Sequence, residues 1–144
     1  MLCLRIHRGL PKNADDEAWV RSKAVQAAAF FTTDLSAHFE AEEQVLFPAM
    51  RSFTGAKELL TELVSEHREL RRIASRLIGS KVAGLTAALG QFADLLESHI
   101  RKEERQLFPL YEKQVSSDVD TEVERGIRDV IGDAMQPRGP RLLQ

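Results

Sequence analysis

Apolar residues recur at three- and four-residue steps along most of the chain, and no stretch alternates in the way a half-buried strand requires. A first apolar segment, Leu2 to Leu10, meets Gly9, Pro11 and Asn13, which predict an early break. A long stripe then runs Val20, Ala24, Ala27, Phe31, Leu35 and Leu46, starting after Asp15 and Asp16, acids suited to a helix N-terminus. Pro48 disturbs that stripe and Thr54-Gly55 ends it. A third stripe runs from Leu60 through Leu63, Leu70 and Ala74 to Leu77, ending at Gly79-Ser80; a fourth runs Leu85, Leu89, Phe92, Leu96, Leu107, Leu110. Val119, Val123, Ile127, Val130 and Ile131 predict a short amphipathic helix after them. Short connections between long helices favour antiparallel neighbours. The pattern predicts an all-α fold, an up-down four-helix bundle with a short first helix and an extra C-terminal helix. The bundle spans 1–136, and 137–144, with Pro137, Gly139 and Pro140, form a flexible tail.

Polar residues interrupt the stripes where leucines belong. The second stripe passes through His38 and Glu42, the third through His67, and the fourth through His99 and Glu103. A buried carboxylate without compensation costs several kcal/mol, so something must neutralise both glutamates. If the second and third helices are antiparallel about Thr54, His38 and His67 differ in depth by less than one turn, roughly 5 Å. Reflecting His67 through the connection at 79–84 brings it within a turn of His99. The five side chains then share one level, and imidazole nitrogen with carboxylate oxygen suits iron, manganese or zinc.

The chain also repeats itself. His38-Phe-Glu-Ala-Glu-Glu-Gln-Val-Leu-Phe-Pro48 aligns without a gap on His99-Ile-Arg-Lys-Glu-Glu-Arg-Gln-Leu-Phe-Pro109, with six identities in eleven positions. Each copy supplies one histidine and one carboxylate a turn later.

Composition narrows the function classes. The 144 residues are 43% hydrophobic and 29% charged, enough for one domain with a real core. A net charge of −2 argues against a nucleic-acid binder that works by a basic surface. The single cysteine, Cys3, excludes an intrachain disulfide and reads as a small apolar filler in a reducing, cytoplasmic setting. No apolar run approaches the ~20 residues of a membrane span, and Arg5, His7 and Arg8 argue against a signal peptide. No nucleophile triad or phosphate-binding glycine loop is present.

The doubled motif resembles the hemerythrin-like family, whose signature places HxxxE on one helix, histidine on the next and HxxxE on a further one. Here these are His38-Phe-Glu-Ala-Glu42, His67 and His99-Ile-Arg-Lys-Glu103, each HxxxE copy continuing into Leu-Phe-Pro. The resemblance spans roughly Ala18 to Lys113. It implies a four-helix bundle around a non-haem di-iron site, with His38, His67 and His99 as terminal ligands and Glu42 and Glu103 bridging. Two positions depart from the pattern. A second histidine on the third helix is replaced by Arg71. The first-helix histidine has only His7 as a candidate, and His7 reads as a surface imidazole at a helix end. His38 stands about 23 residues into its helix, roughly 35 Å from its start, so His7 reaches the site only if that helix breaks near Thr32-Thr33-Asp34. The expectation is that the first-helix ligand falls before Met1, leaving two, one or no iron.

Glu43 and Glu104 read as flanking acids, Phe47, Phe108 and Tyr111 as packing groups, and Arg68, Arg71, Arg72 and Arg76 as a solvated face. The implied function is binding or sensing of dioxygen or nitric oxide. The alternatives are an iron-dependent redox or iron-donor protein, acting on peroxide or in iron–sulfur repair, and a helical interaction domain that has lost its metal. The expected partners are the small ligand and a second copy of the chain, with neither nucleic acid nor membrane.

Overall fold

The computed structural model describes residues 2–78 and 82–132; the helix stop expected at Gly79-Ser80 and the tail expected at 137–144 lie outside them. Among the described residues every regular element is helical. They are α1 (Leu2–Asn13), α2 (Glu17–Phe30), α3 (Ser36–Ala41), α4 (Phe47–Met50), α5 (Lys57–Ser75), α6 (Val82–Lys102), α7 (Phe108–Gln114) and α8 (Ser117–Ile131). Three π-helical turns join some of them without a break: π1 (Phe31–Leu35), π2 (Glu42–Leu46) and π3 (Glu103–Leu107). No described helix is long and apolar enough to cross a membrane.

Local chemistry explains the boundaries. Asp16 caps α2 by accepting from the Trp19 amide at 3.1 Å, and Ser116 caps α8 through the Val119 amide at 3.3 Å. Gly55 turns the chain into α5 at φ 82°, and Gly132 closes α8 at φ 78°, where a side chain would be strained.

The expected early break is corrected. Helix α1 runs through Gly9 and Pro11 to Asn13. Gly9 serves packing here: a Cβ at this position would lie 2.3 Å from the Trp19 indole of α2. Asn13 closes the helix by donating from its side chain to the Gly9 carbonyl at 2.8 Å.

Contacts divide the chain into two compact units, Met1–Thr33 with Glu66–His99, and Asp34–Ser65 with Ile100–Gln144. The first buries Ile6, Val20, Ala27, Leu70, Leu89 and Phe92, among others. In it His7 joins α1 to α6, its Nε2 2.7 Å from Asp94 and its Nδ1 2.9 Å from Glu97. The second unit has a contiguous core that includes Leu46, Phe47, Met50, Leu63, Leu107, Phe108, Tyr111 and Ile127. Tyr111 donates to Asp120 at 2.6 Å, linking α7 to α8. Helix α8 packs its Val123–Ile127–Ile131 face on α3 and π2. Gly126 permits the approach, since a Cβ there would lie 2.8 Å from Val45.

Candidate metal centre

The prolines of the repeat set up the site. Proline has no amide hydrogen, and its ring crowds the carbonyl four residues earlier. Pro48 and Pro109 therefore cannot continue an α-helical ladder from Gln44 and Arg105. The chain widens by one residue before each proline: the Phe47 amide bonds back to the Glu42 carbonyl, and the Phe108 amide to the Glu103 carbonyl. Glu42 and Glu103 are thus the first residues of π2 and π3, and both are fully buried. Such single wide turns are common at functional positions. The third one, π1, has a different origin. Thr32 and Thr33 donate their hydroxyls to the carbonyls of Ala28 and Ala29, at 3.0 and 2.8 Å.

Within the second unit the two glutamates face each other. Burial, first, and then the Glu103 carboxyl hold Glu42 well above the ordinary carboxylate range; the hydrogen bond between them and the Glu43 charge add to this. A cation placed beside two buried acids would favour their ionised forms.

Within the first unit the two histidines repeat the arrangement. His67 on α5 and His99 on α6 are fully buried, with their Nε2 atoms 3.2 Å apart. Two imidazole nitrogens bound to one ion at about 2.1 Å would stand roughly 3.0–3.4 Å apart. Glu66 is 14% exposed and places its Oε1 2.8 Å from the other ring nitrogen of His99, Nδ1. Along the same helix faces, Leu63, Leu70 and Leu96 are buried within a turn of the histidines and keep water away.

His99 and Glu103 occupy successive turns of one uninterrupted helix. Glu42, His67, His99 and Glu103 form a buried group whose ligand atoms lie within 4.8 Å of one another. Two nitrogens and two oxygens at this spacing fit a transition-metal cation.

The fifth residue singled out from the sequence, His38, stands on α3 one turn before Glu42, is half-buried, and is outside that group of four. Glu43 is half-buried and Glu104 exposed. Both nitrogens of His7 face carboxylates of α6, on a side of that helix well away from His99, since residues 97 and 99 diverge by about 200°. Sequence reasoning missed Glu66. Its signal was weak: an acid immediately before His67 reads as one more charge on an exposed flank.

The sequence signature of the hemerythrin HHE cation binding domain matches residues 1–111. The chain belongs to the hemerythrin HHE cation-binding family. Its fold is the all-α helical bundle of that family, and the buried His/Glu group is one that could hold a cation. The chain is also similar to a DNA nickase of Nostoc sp., 37% identical over 87 residues, covering 59% of this chain and 24% of that protein. The chain thus corresponds to about a quarter of that relative's length. No solved structure matches.

Proposed function

We propose that this hemerythrin-family protein holds iron through Glu42, His67, His99 and Glu103, with His38 completing the set, and binds a small diatomic ligand such as dioxygen or nitric oxide. The observation that carries the reading is the pairing of like donors in the interior: two fully buried carboxyls, Glu42 held well above its ordinary range, and two imidazole nitrogens 3.2 Å apart. Such pairs are poor solutions for a core held together by packing alone. They are good solutions for a core that takes up a cation.

Bound iron would supply open coordination positions for dioxygen, nitric oxide or peroxide. The chain's part is to bring two acids and two imidazoles together and to exclude water with Leu63, Leu70 and Leu96. Elemental analysis of protein produced in iron-supplemented medium should find at least one iron per chain, with a visible spectrum that changes under air or nitric oxide. Protein that takes up no transition metal after anaerobic reconstitution with ferrous ion would overturn the proposal. Iron that turns over peroxide, or passes to a cluster-free iron–sulfur protein, would favour the redox alternative over ligand binding.

A second reading comes from the Nostoc relative. The 87 shared residues are a part of a longer chain described as a DNA nickase. The formal charge of −2 gives this chain no overall attraction to DNA. Conversion of supercoiled plasmid to open circles by the purified protein, lost in Glu42→Ala, would support nicking; intact plasmid under metal-loaded conditions would end it.

A further inference from the structure

Glu66 stands beside the donor group without belonging to it. It is the residue before His67 on α5, a step of about 100° around the helix. One turn of α5 therefore delivers a donor and, on its flank, a carboxylate aimed at α6. That carboxylate has one oxygen 2.8 Å from Nδ1 of His99. A carboxylate only accepts, so Nδ1 of His99 donates and carries its hydrogen. In the neutral ring the lone pair then sits on Nε2. That is the atom 3.2 Å from Nε2 of His67.

We propose that Glu66 is a positioning residue: it fixes His99 as the Nδ1–H tautomer and sets its ring plane, so that Nε2 presents a lone pair to the cation. The proposal rests on the cation-binding reading of the group. The geometry favours it over a role in surface charge. Glu66 is largely covered and His99 fully buried, so the contact is shielded from water, whose competition weakens exposed pairs. Imidazole ligands held by a carboxylate on the second nitrogen are stiffer and more basic donors, and loss of such a partner lowers metal affinity about 10–100-fold. The same contact has a consequence for His67. With the lone pair of His99 facing it, the hydrogen in the 3.2 Å contact belongs to His67 Nε2 before a cation arrives.

The test uses the full chain with ¹⁵N-labelled histidine, free of metal. Long-range ¹H–¹⁵N spectra should show His99 as the Nδ1–H tautomer in the wild type. Glu66→Gln keeps an oxygen that accepts and should keep the tautomer; Glu66→Ala should release it toward Nε2–H. Anaerobic titration with ferrous ion should then show affinity falling about 10–100-fold in Glu66→Ala and less in Glu66→Gln, with thermal midpoints of the metal-free proteins as the control for folding. A wild-type His99 in the Nε2–H form overturns the proposal even if Glu66→Ala fails to fold. So does a Glu66→Ala protein that keeps both the tautomer and the affinity. A tautomer that depends on Glu66 in a protein that takes up no ferrous ion supports the orienting contact and overturns the cation reading, so the two failures are distinct.

Discussion

The two copies of the eleven-residue repeat have the same backbone and different surroundings. In each, a glutamate opens a π turn, a leucine and a phenylalanine enter the core, and an exposed proline follows. The likeness ends at the flanking positions. Val45 of the first copy is half-buried under α8, while its counterpart Gln106 is exposed. Ala41 is fully buried, while Lys102 reaches Glu62 at 2.7 Å. His38 is half-buried; His99 is fully buried and engaged at both ring nitrogens. After Pro48 the helix stops at Met50, but after Pro109 it continues to Gln114. The shared residues are therefore those that make the wide turn and its buried glutamate. The divergent ones record which neighbour lies on each copy.

The largest expected effects ask whether the donors are equivalent where the copies agree. Glu42→Ala and Glu103→Ala should each lower ferrous-ion affinity by more than about 100-fold, beyond the loss of an outer partner. If one variant retains full metal content in elemental analysis, the symmetry of the two glutamates is broken. His99→Ala should cost more affinity than His38→Ala, because only His99 belongs to the group of four. Equal losses would mean that His38 moves inward on binding.

A second probe concerns the cover on the first copy. Gly126→Val adds atoms where even a Cβ would meet Val45 at 2.8 Å. It should destabilise the protein by about 1–3 kcal/mol in urea unfolding. Gln106→Val, at the matching exposed position, should change stability by less than about 0.5 kcal/mol.

Two smaller effects concern acids held above their ordinary range. Metal-free protein should lose stability as pH rises above the usual glutamate range, because the unfolded chain gives up the Glu42 proton there while the folded chain keeps it. Addition of ferrous ion should remove that slope. Tyr111 is also raised, by burial first and then by its hydrogen bond to Asp120. Its contribution should be complete below the ordinary phenol value of about 10 and fade above it. Tyr111→Phe should cost about 1 kcal/mol at neutral pH and flatten that alkaline decline in thermal scans.

Much of this was legible in the sequence, for physical reasons. Histidine or glutamate at a leucine position of a periodic stripe is costly, so Glu42, His67, His99 and Glu103 stood out. The repeat made the helix ends and their prolines visible in duplicate. What stayed hidden depended on contacts distant in sequence. Gly9 and Pro11 looked like breakers because nothing local announces that the Trp19 ring will fill the space beside a missing side chain. Periodicity counts apolar positions but not the hydrogen-bond step, so Pro48 signalled a disturbance without revealing a widened turn. Glu66 was silent because its partner lies 33 residues away. The contrast of Val45 with Gln106 did encode the seat of α8, and comparison of the copies position by position would have found it.

The widened turns arise from an amide hydrogen that proline never had. The cause of π2 and π3 lies in the chain itself, and each of these turns opens on a fully buried glutamate. On the proposed cation-binding reading, an arriving ion would meet two carboxyls whose backbone is already bent toward it.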